Sequence, residues 1–188
     1  MEAILKKELI LNKTACRIIG IAVFVILTSL GAFVRIPLPF SPVPITLQTF
    51  FVLLSAAFLG GNLGVATQII YISLGLAGLP IFTGAGSGLL YLAGPTSGYL
   101  FGFILANLLI GKCLKYVPAT LFPVLGVLFL GDLLILFCGL IWLKFIFGYN
   151  FRGLLLIGVI PFIPGDLLKA QAASFLYLKL RKRLQQIF

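Results

Sequence analysis

The stretch "IPFIPGDLLKAQAA" (residues 160–173) sets Asp166 and Lys169 three positions apart inside an apolar segment. That spacing puts both side chains on one helix face, so a carboxylate acceptor and an ammonium donor can close on one polar ligand. Pro161, Pro164 and Gly165 interrupt the helix just before, which makes Asp166 the start of a fresh helical stretch running to about residue 180. The bland alternative is an internally neutralised pair, with Asp166 capping the helix and Lys169 snorkelling. A second acidic residue, Asp132 in "FLGDLLIL", also sits in an apolar run; a carboxyl that ties helices together competes there with a functional role.

Other chemistries find no support. The chain has no histidine, which removes a Ser-His-Asp arrangement and most metal sites. Cys16, Cys113 and Cys138 lie far apart without CxxC spacing and read as small buried apolar residues. "GAGSG" (residues 84–88) lacks the GK[ST] ending and the strand-to-helix setting of a phosphate loop. The expectation is a protein that is not an enzyme and carries no cofactor or metal.

The elements that must position Asp166 and Lys169 follow from composition. Of 188 residues, 61% are hydrophobic and 10% charged, with mean hydropathy +1.21, far from a soluble domain. An all-α integral membrane protein is expected, a compact single-domain bundle over residues 1–188. Six apolar runs emerge at about 16–34, 45–60, 63–79, 95–114, 119–147 and 154–180. The first is longer than a signal-peptide core and is read as a retained helix. The net charge of +10 does not indicate nucleic acid, because the basic residues flank apolar runs instead of lining a polar face. Lys6, Lys7, Lys13, Arg17, Lys112, Lys115, Lys179, Arg181, Lys182 and Arg183 gather on one side, against Arg35, Lys144 and Arg152 on the other. The positive-inside rule then makes both termini cytoplasmic, in a multi-pass cell-membrane protein surrounded by lipid.

Two connections on the outer side are unusual. "RIPLPFSPVPITLQ" (residues 35–48) alternates prolines at 37, 39, 42 and 44, which block helix and favour extended backbone. A nonhelical apolar segment at a membrane edge must be covered by protein or line a wet cavity, so it is expected to fold back as a lid. "LPIFTGAGSGLLYLAGPTSGY" (residues 79–99) carries no charge, and its glycines allow close backbone approach. A helical stretch from Asp166 to about Leu180 covers roughly 21–22 Å, which puts Asp166 in the outer half of a core about 30 Å thick. The polar pair is then the floor of an outward-facing pocket, with the two loops as its roof.

Four motifs in order, "RIPLPFSPVPITLQTFFVLL", "YISLGLAGLPIF", "GPTSGYLFGF" and "PGDLLK", closely resemble the BioY family, the biotin-binding S components of energy-coupling factor transporters; the likeness runs from about residue 31 to the C-terminus. It implies a six-helix membrane domain for biotin uptake, with biotin as the transported substrate. It also implies docking on a transmembrane coupling protein and two ABC-type ATPases, and it leaves a homo-oligomer open. In that family the Asp and Lys of "GDLLK" belong to the biotin site, which carries onto Asp166 and Lys169. Biotin's ureido ring suits such a pair, while its own carboxylate could be met instead by Lys169 or by loop amides. Its apolar parts suit a lining of Phe40, Leu79, Tyr91 and Tyr99, and Thr46 and Gln48 are candidate further donors and acceptors, with local capping as their alternative. The small-residue pattern that S components often carry on the first helix is weak here, kept only by Thr28 with Ala32. A stand-alone facilitator or ion-coupled carrier of a small apolar anion, with Asp166 or Asp132 as proton relay, is the alternative reading. A noncatalytic assembly scaffold is a third.

Overall fold

The computed structural model describes residues 13–148 and 150–184. Lys6 and Lys7 of the charge pattern lie outside them, as does the side chain of Arg183. The elements are α1 (Lys13–Phe33), β1 (Arg35–Ile36), β2 (Ile45–Thr46), α2 (Gln48–Leu76), α3 (Gly88–Leu92), α4 (Ser97–Cys113), α5 (Leu121–Phe147), α6 (Phe151–Gly158) and α7 (Ile163–Leu184).

Element α2 is a hairpin. Gly60 has φ +79° and ψ 174° in its middle, a conformation glycine adopts freely. Gln48 Nε2 donates to Tyr71 Oη at 2.6 Å and Gln68 Nε2 to Ser55 Oγ at 3.0 Å. On a continuous helix Gln48 and Tyr71 would stand about 34 Å apart, so the chain reverses at Gly60. The arms 48–59 and 61–76 are the second and third expected segments, separated by one glycine.

The last segment is broken as the prolines at 161 and 164 lead one to expect: α6 and α7 meet at a 48° bend. Counting the two arms of α2 separately and α6 with α7 as one, the chain makes six helical passes, an all-helical membrane bundle. By length and apolar composition α1, α2 and α5 can each cross a membrane, and the α6–α7 pair adds one more.

The helices pack chiefly as α1 on α2, α2 on α4, and α4 on α5, with α7 laid against α5 and α2. At Gly111 of α4 a side chain would overlap the backbone of Gly61, so small residues here let two helix backbones touch. Deeper in the bundle, Asn107 Nδ2 donates to Phe103 O at 2.9 Å and Ser55 Oγ donates to Asn107 Oδ1 at 2.9 Å. Such bonds satisfy buried polar groups that lipid could not. On α1, Ile18, Ile19, Ile26 and Leu30 face outward. Thr28 and Ala32, the one small-residue pair the first helix keeps at that spacing, are wholly buried against the bundle. Cys16, Cys113 and Cys138 are half-buried and not enclosed as expected.

Candidate functional site

The floor of the site is built where α7 begins. The helix starts at Ile163, three residues ahead of the expected start, and runs to Leu184. Pro164 is tolerated there because first-turn amides have no helical partner to lose. Asp166 N donates to Phe162 O at 2.9 Å. The side chains of Asp166 and Lys169 are only 2% and 12% exposed, and Lys169 Nζ donates to Asp166 Oδ1 at 2.6 Å. The same ammonium donates to Thr49 Oγ1 at 2.8 Å, which ties α7 to the start of α2. Among the described residues it has two acceptors for its three N–H donors.

The Pro-rich segment is a strap. Its ends pair antiparallel, Arg35 with Thr46 and Ile36 with Ile45, and the prolines lie in the loop between. Leu47 N reaches Val34 O at 3.0 Å, and Ser41 Oγ donates to Ile157 O at 2.6 Å, pinning the strap to α6. Thr46 Oγ1 accepts from Gln48 N at 3.4 Å, the local role considered for it. Gln48 does more: besides its bond to Tyr71, its Oε1 accepts from Thr83 Oγ1 at 3.0 Å. It therefore joins the strap, the second arm of α2 and the glycine-rich loop.

That loop is anchored by Phe82, which is wholly buried. Its ring meets Tyr71 edge-on at 5.5 Å and stacks on Tyr91 at 4.7 Å. Tyr71 Oη donates to Ile81 O at 3.0 Å. Gly84, at φ +76°, leaves room for the Arg35 guanidinium to lie against it. Tyr99, at the head of α4, donates from Oη to Gly158 O at 2.8 Å and so holds the α6 end of the break.

Together these elements enclose a cavity of about 40 Å³. Of the expected site residues, Thr46, Gln48, Tyr91, Tyr99, Asp166 and Lys169 line it. Phe40 and Leu79 do not. Phe40 is 57% exposed beside Phe147 and Ile157 on the outer surface, and Leu79 is 46% exposed. In the extended strap it is Val43 that turns inward, and Leu79 follows the turn at Gly78, whose φ is +103°. Thr49, Thr83 and Phe162 line the cavity without having been singled out; a hydroxyl next to Gln48 in the same motif was the one available hint. A second outer space shares Pro44, Thr83, Tyr91 and Thr96 with the first and reaches Arg35. Among the described residues no carboxylate pairs with Arg35, and no cluster could hold a metal ion.

A six-pass bundle with a buried ion pair beneath a Pro-rich strap and a glycine-rich loop has the architecture of a membrane-embedded domain with a candidate binding site between its helices. The BioY family profile matches residues 6–186, and the chain belongs to that family. A probable biotin transporter BioY of Lysinibacillus sphaericus is 46% identical over 108 residues, 57% of this chain and 54% of that protein. The biotin transporter BioY of Thermotoga maritima is 39% identical over 167 residues, 88% of this chain and 96% of that one. The fold matches the 2.1 Å crystal structure of the S-component for biotin from an ECF-type ABC transporter. That match has TM-score 0.86 and 30% identity, and covers 92% of this chain and 94% of that one.

Proposed function

We propose that this chain is the substrate-binding S component of a biotin uptake system, a transporter part and not an enzyme. The observation that carries this is the Asp166–Lys169 pair, buried at the floor of a loop-roofed cavity in a chain of the BioY family. The ureido group offers two N–H donors and a carbonyl acceptor. Asp166 can take the donors, while the spare Lys169 proton meets the carbonyl. Tyr99, Phe103 and Phe162 offer apolar surface to the thioether ring. Lys169 is already neutralised by Asp166, so the unpaired cation for biotin's own carboxylate is Arg35 at the outer space, and the acid end points outward.

Both termini are cytoplasmic in this reading, as the distribution of Lys and Arg supports. Biotin is captured from outside and released inward when a separate module, a transmembrane coupling protein with two ABC-type ATPases, supplies the energy. Calorimetric titration of the purified protein with biotin tests the assignment. Binding that is lost in Asp166→Asn and Lys169→Ala supports it; no binding by the parent chain, or unchanged binding by both variants, sinks it. Uptake into vesicles that requires the ATPase module separates the energised reading from a stand-alone carrier.

A further inference from the structure

Asp132 projects from the middle of α5 and is wholly buried. Neither of its carboxyl oxygens has a hydrogen-bond partner, and Asp166 Oδ2, equally buried, also lacks one. The two carboxyls lie within hydrogen-bonding range of each other, with Lys169 nearby. Two ionised carboxylates in contact here would set acceptor against acceptor, with one ammonium to balance two negative charges inside the bundle. Buried polar groups without partners cost about 1–3 kcal/mol each, more when charged, and like charges this close do not both ionise.

The other groups facing the pair do not supply the missing donor. On α4, Tyr99 commits its hydroxyl to Gly158 O at 2.8 Å. On α2, the nearest polar partner of Lys169 is the neutral Thr49. On α6, the one charged residue, Arg152, is exposed. On α7, Lys169 Nζ is engaged at the opposite oxygen, Asp166 Oδ1.

We infer that Asp132 is a positioning residue that carries a proton: its O–H donates to Asp166 Oδ2, while Lys169 holds Oδ1. The carboxylate of Asp166 is thereby gripped at both oxygens, its plane is fixed, and its remaining lone pairs are held toward the cavity. The site is neutral as a unit, one ammonium and two carboxyls sharing one proton, so a ligand meets a directed acceptor instead of an unbalanced charge. The ligand's identity rests on the biotin reading above; the proton does not.

The test uses the full chain in detergent at neutral pH, before biotin is added. Infrared spectroscopy is expected to show the carbonyl stretch of a buried protonated carboxylic acid, and Asp132→Asn is expected to abolish it. Calorimetry then compares Asp132→Asn, which keeps an N–H donor toward Asp166, with Asp132→Leu, which keeps only volume. The asparagine variant binds biotin about tenfold or more tightly than the leucine variant, the worth of a hydrogen bond to a charged group. A parent spectrum without the band, a band that survives Asp132→Asn, or equal biotin affinities of Asp132→Asn and Asp132→Leu overturns the inference. A parent that shows the band yet binds no biotin overturns the ligand assignment and leaves the proton in place.

Discussion

Replacing Lys169 by Met is expected to separate what the ion pair does for the fold from what it does for the ligand. The substitution keeps the length of the side chain and leaves the Asp166 carboxylate, 2% exposed, without its cation. Removing one partner of a buried pair costs about 3–5 kcal/mol, because the survivor is charged and unsolvated. Asp166→Asn leaves the ammonium instead, but Lys169 retains Thr49 at 2.8 Å and is the more exposed partner at 12%. Its loss is about 1–3 kcal/mol. The double variant removes both charges and is expected to be more stable than Lys169→Met alone, a coupling that a double-mutant cycle measures directly. Affinity behaves differently. Each single variant loses at least one charge-assisted bond to the ligand, about 1.5–3 kcal/mol, or about 10- to 150-fold in Kd, and the double variant recovers none of it. Denaturant titration in micelles gives the stabilities and biotin calorimetry the affinities. If Lys169→Met is no less stable than Asp166→Asn, or if the double variant binds biotin like the parent, the pair is not the buried, ligand-facing unit described above.

Tyr71→Phe removes the donor to Ile81 O and the acceptor for Gln48 Nε2. It is expected to destabilise the chain by about 1–3 kcal/mol and to weaken biotin binding through the freed Gln48, both measurable in the same two assays. Gly60→Ala meets no neighbour within 4 Å, so its effect is the positive-φ backbone with ψ 174° alone, about 1–3 kcal/mol in unfolding, with biotin affinity of the folded protein unchanged. Arg35→Ala is expected to weaken biotin by about tenfold, in the range of a hydrogen bond to a charged group. It should also remove most of the parent's preference for biotin over biotin amide; a preference that survives the substitution refutes the outward placement of the acid.

Asp166 and Lys169 were legible because charge in an apolar segment is rare enough to be read without context, and the proline break beside them fixed where their helix could begin. The six helical passes were legible from hydropathy. The break between the second and third runs, at about residues 60–63, was legible too; what was not is that Gly60 alone makes the reversal, with both arms staying helical up to it. Side-chain direction in the straps was less accessible. Phe40 and Leu79 look like pocket lining by type, yet the strap's extended backbone and the turn at Gly78 send them outward while Val43 and Phe82 go in. Thr49 and Thr83 were invisible because a hydroxyl gains its role from a partner distant in sequence: Lys169 in one case, Gln48 in the other. Arg35 was counted as a topology charge, and only the folded loop shows it lying over Gly84.

The enclosed space also constrains how a ligand gets in. At about 40 Å³ it is far below the roughly 300–1,000 Å³ of sites that hold drug-sized molecules, so one of the two straps must yield to a bicyclic ligand. The Pro-rich strap is held at three places: the β1–β2 pairing, Ser41 on Ile157 O at 2.6 Å, and buried Val43. The glycine-rich loop is held at its base by Phe82 and the Thr83–Gln48 bond, and at its far end by Trp142 Nε1 on Gly94 O at 2.9 Å and Ser97 Oγ on Tyr91 O at 3.2 Å. Beyond that base, α3 buries none of its residues; Leu89 and Leu90 are 77% and 90% exposed, and Gly84 and Gly88 flank its start at positive φ. Displacing α3 breaks the stacking of Tyr91 on Phe82 and the Ser97 bond to Tyr91 O, whereas displacing the strap breaks the β1–β2 pairing and the Ser41 bond and uncovers Val43. The easier opening leaves Gln48, Thr49, Asp166 and Lys169 where they are, so the polar floor stays assembled while the roof moves, and the ordering cost of binding falls on five residues, Tyr91 among them.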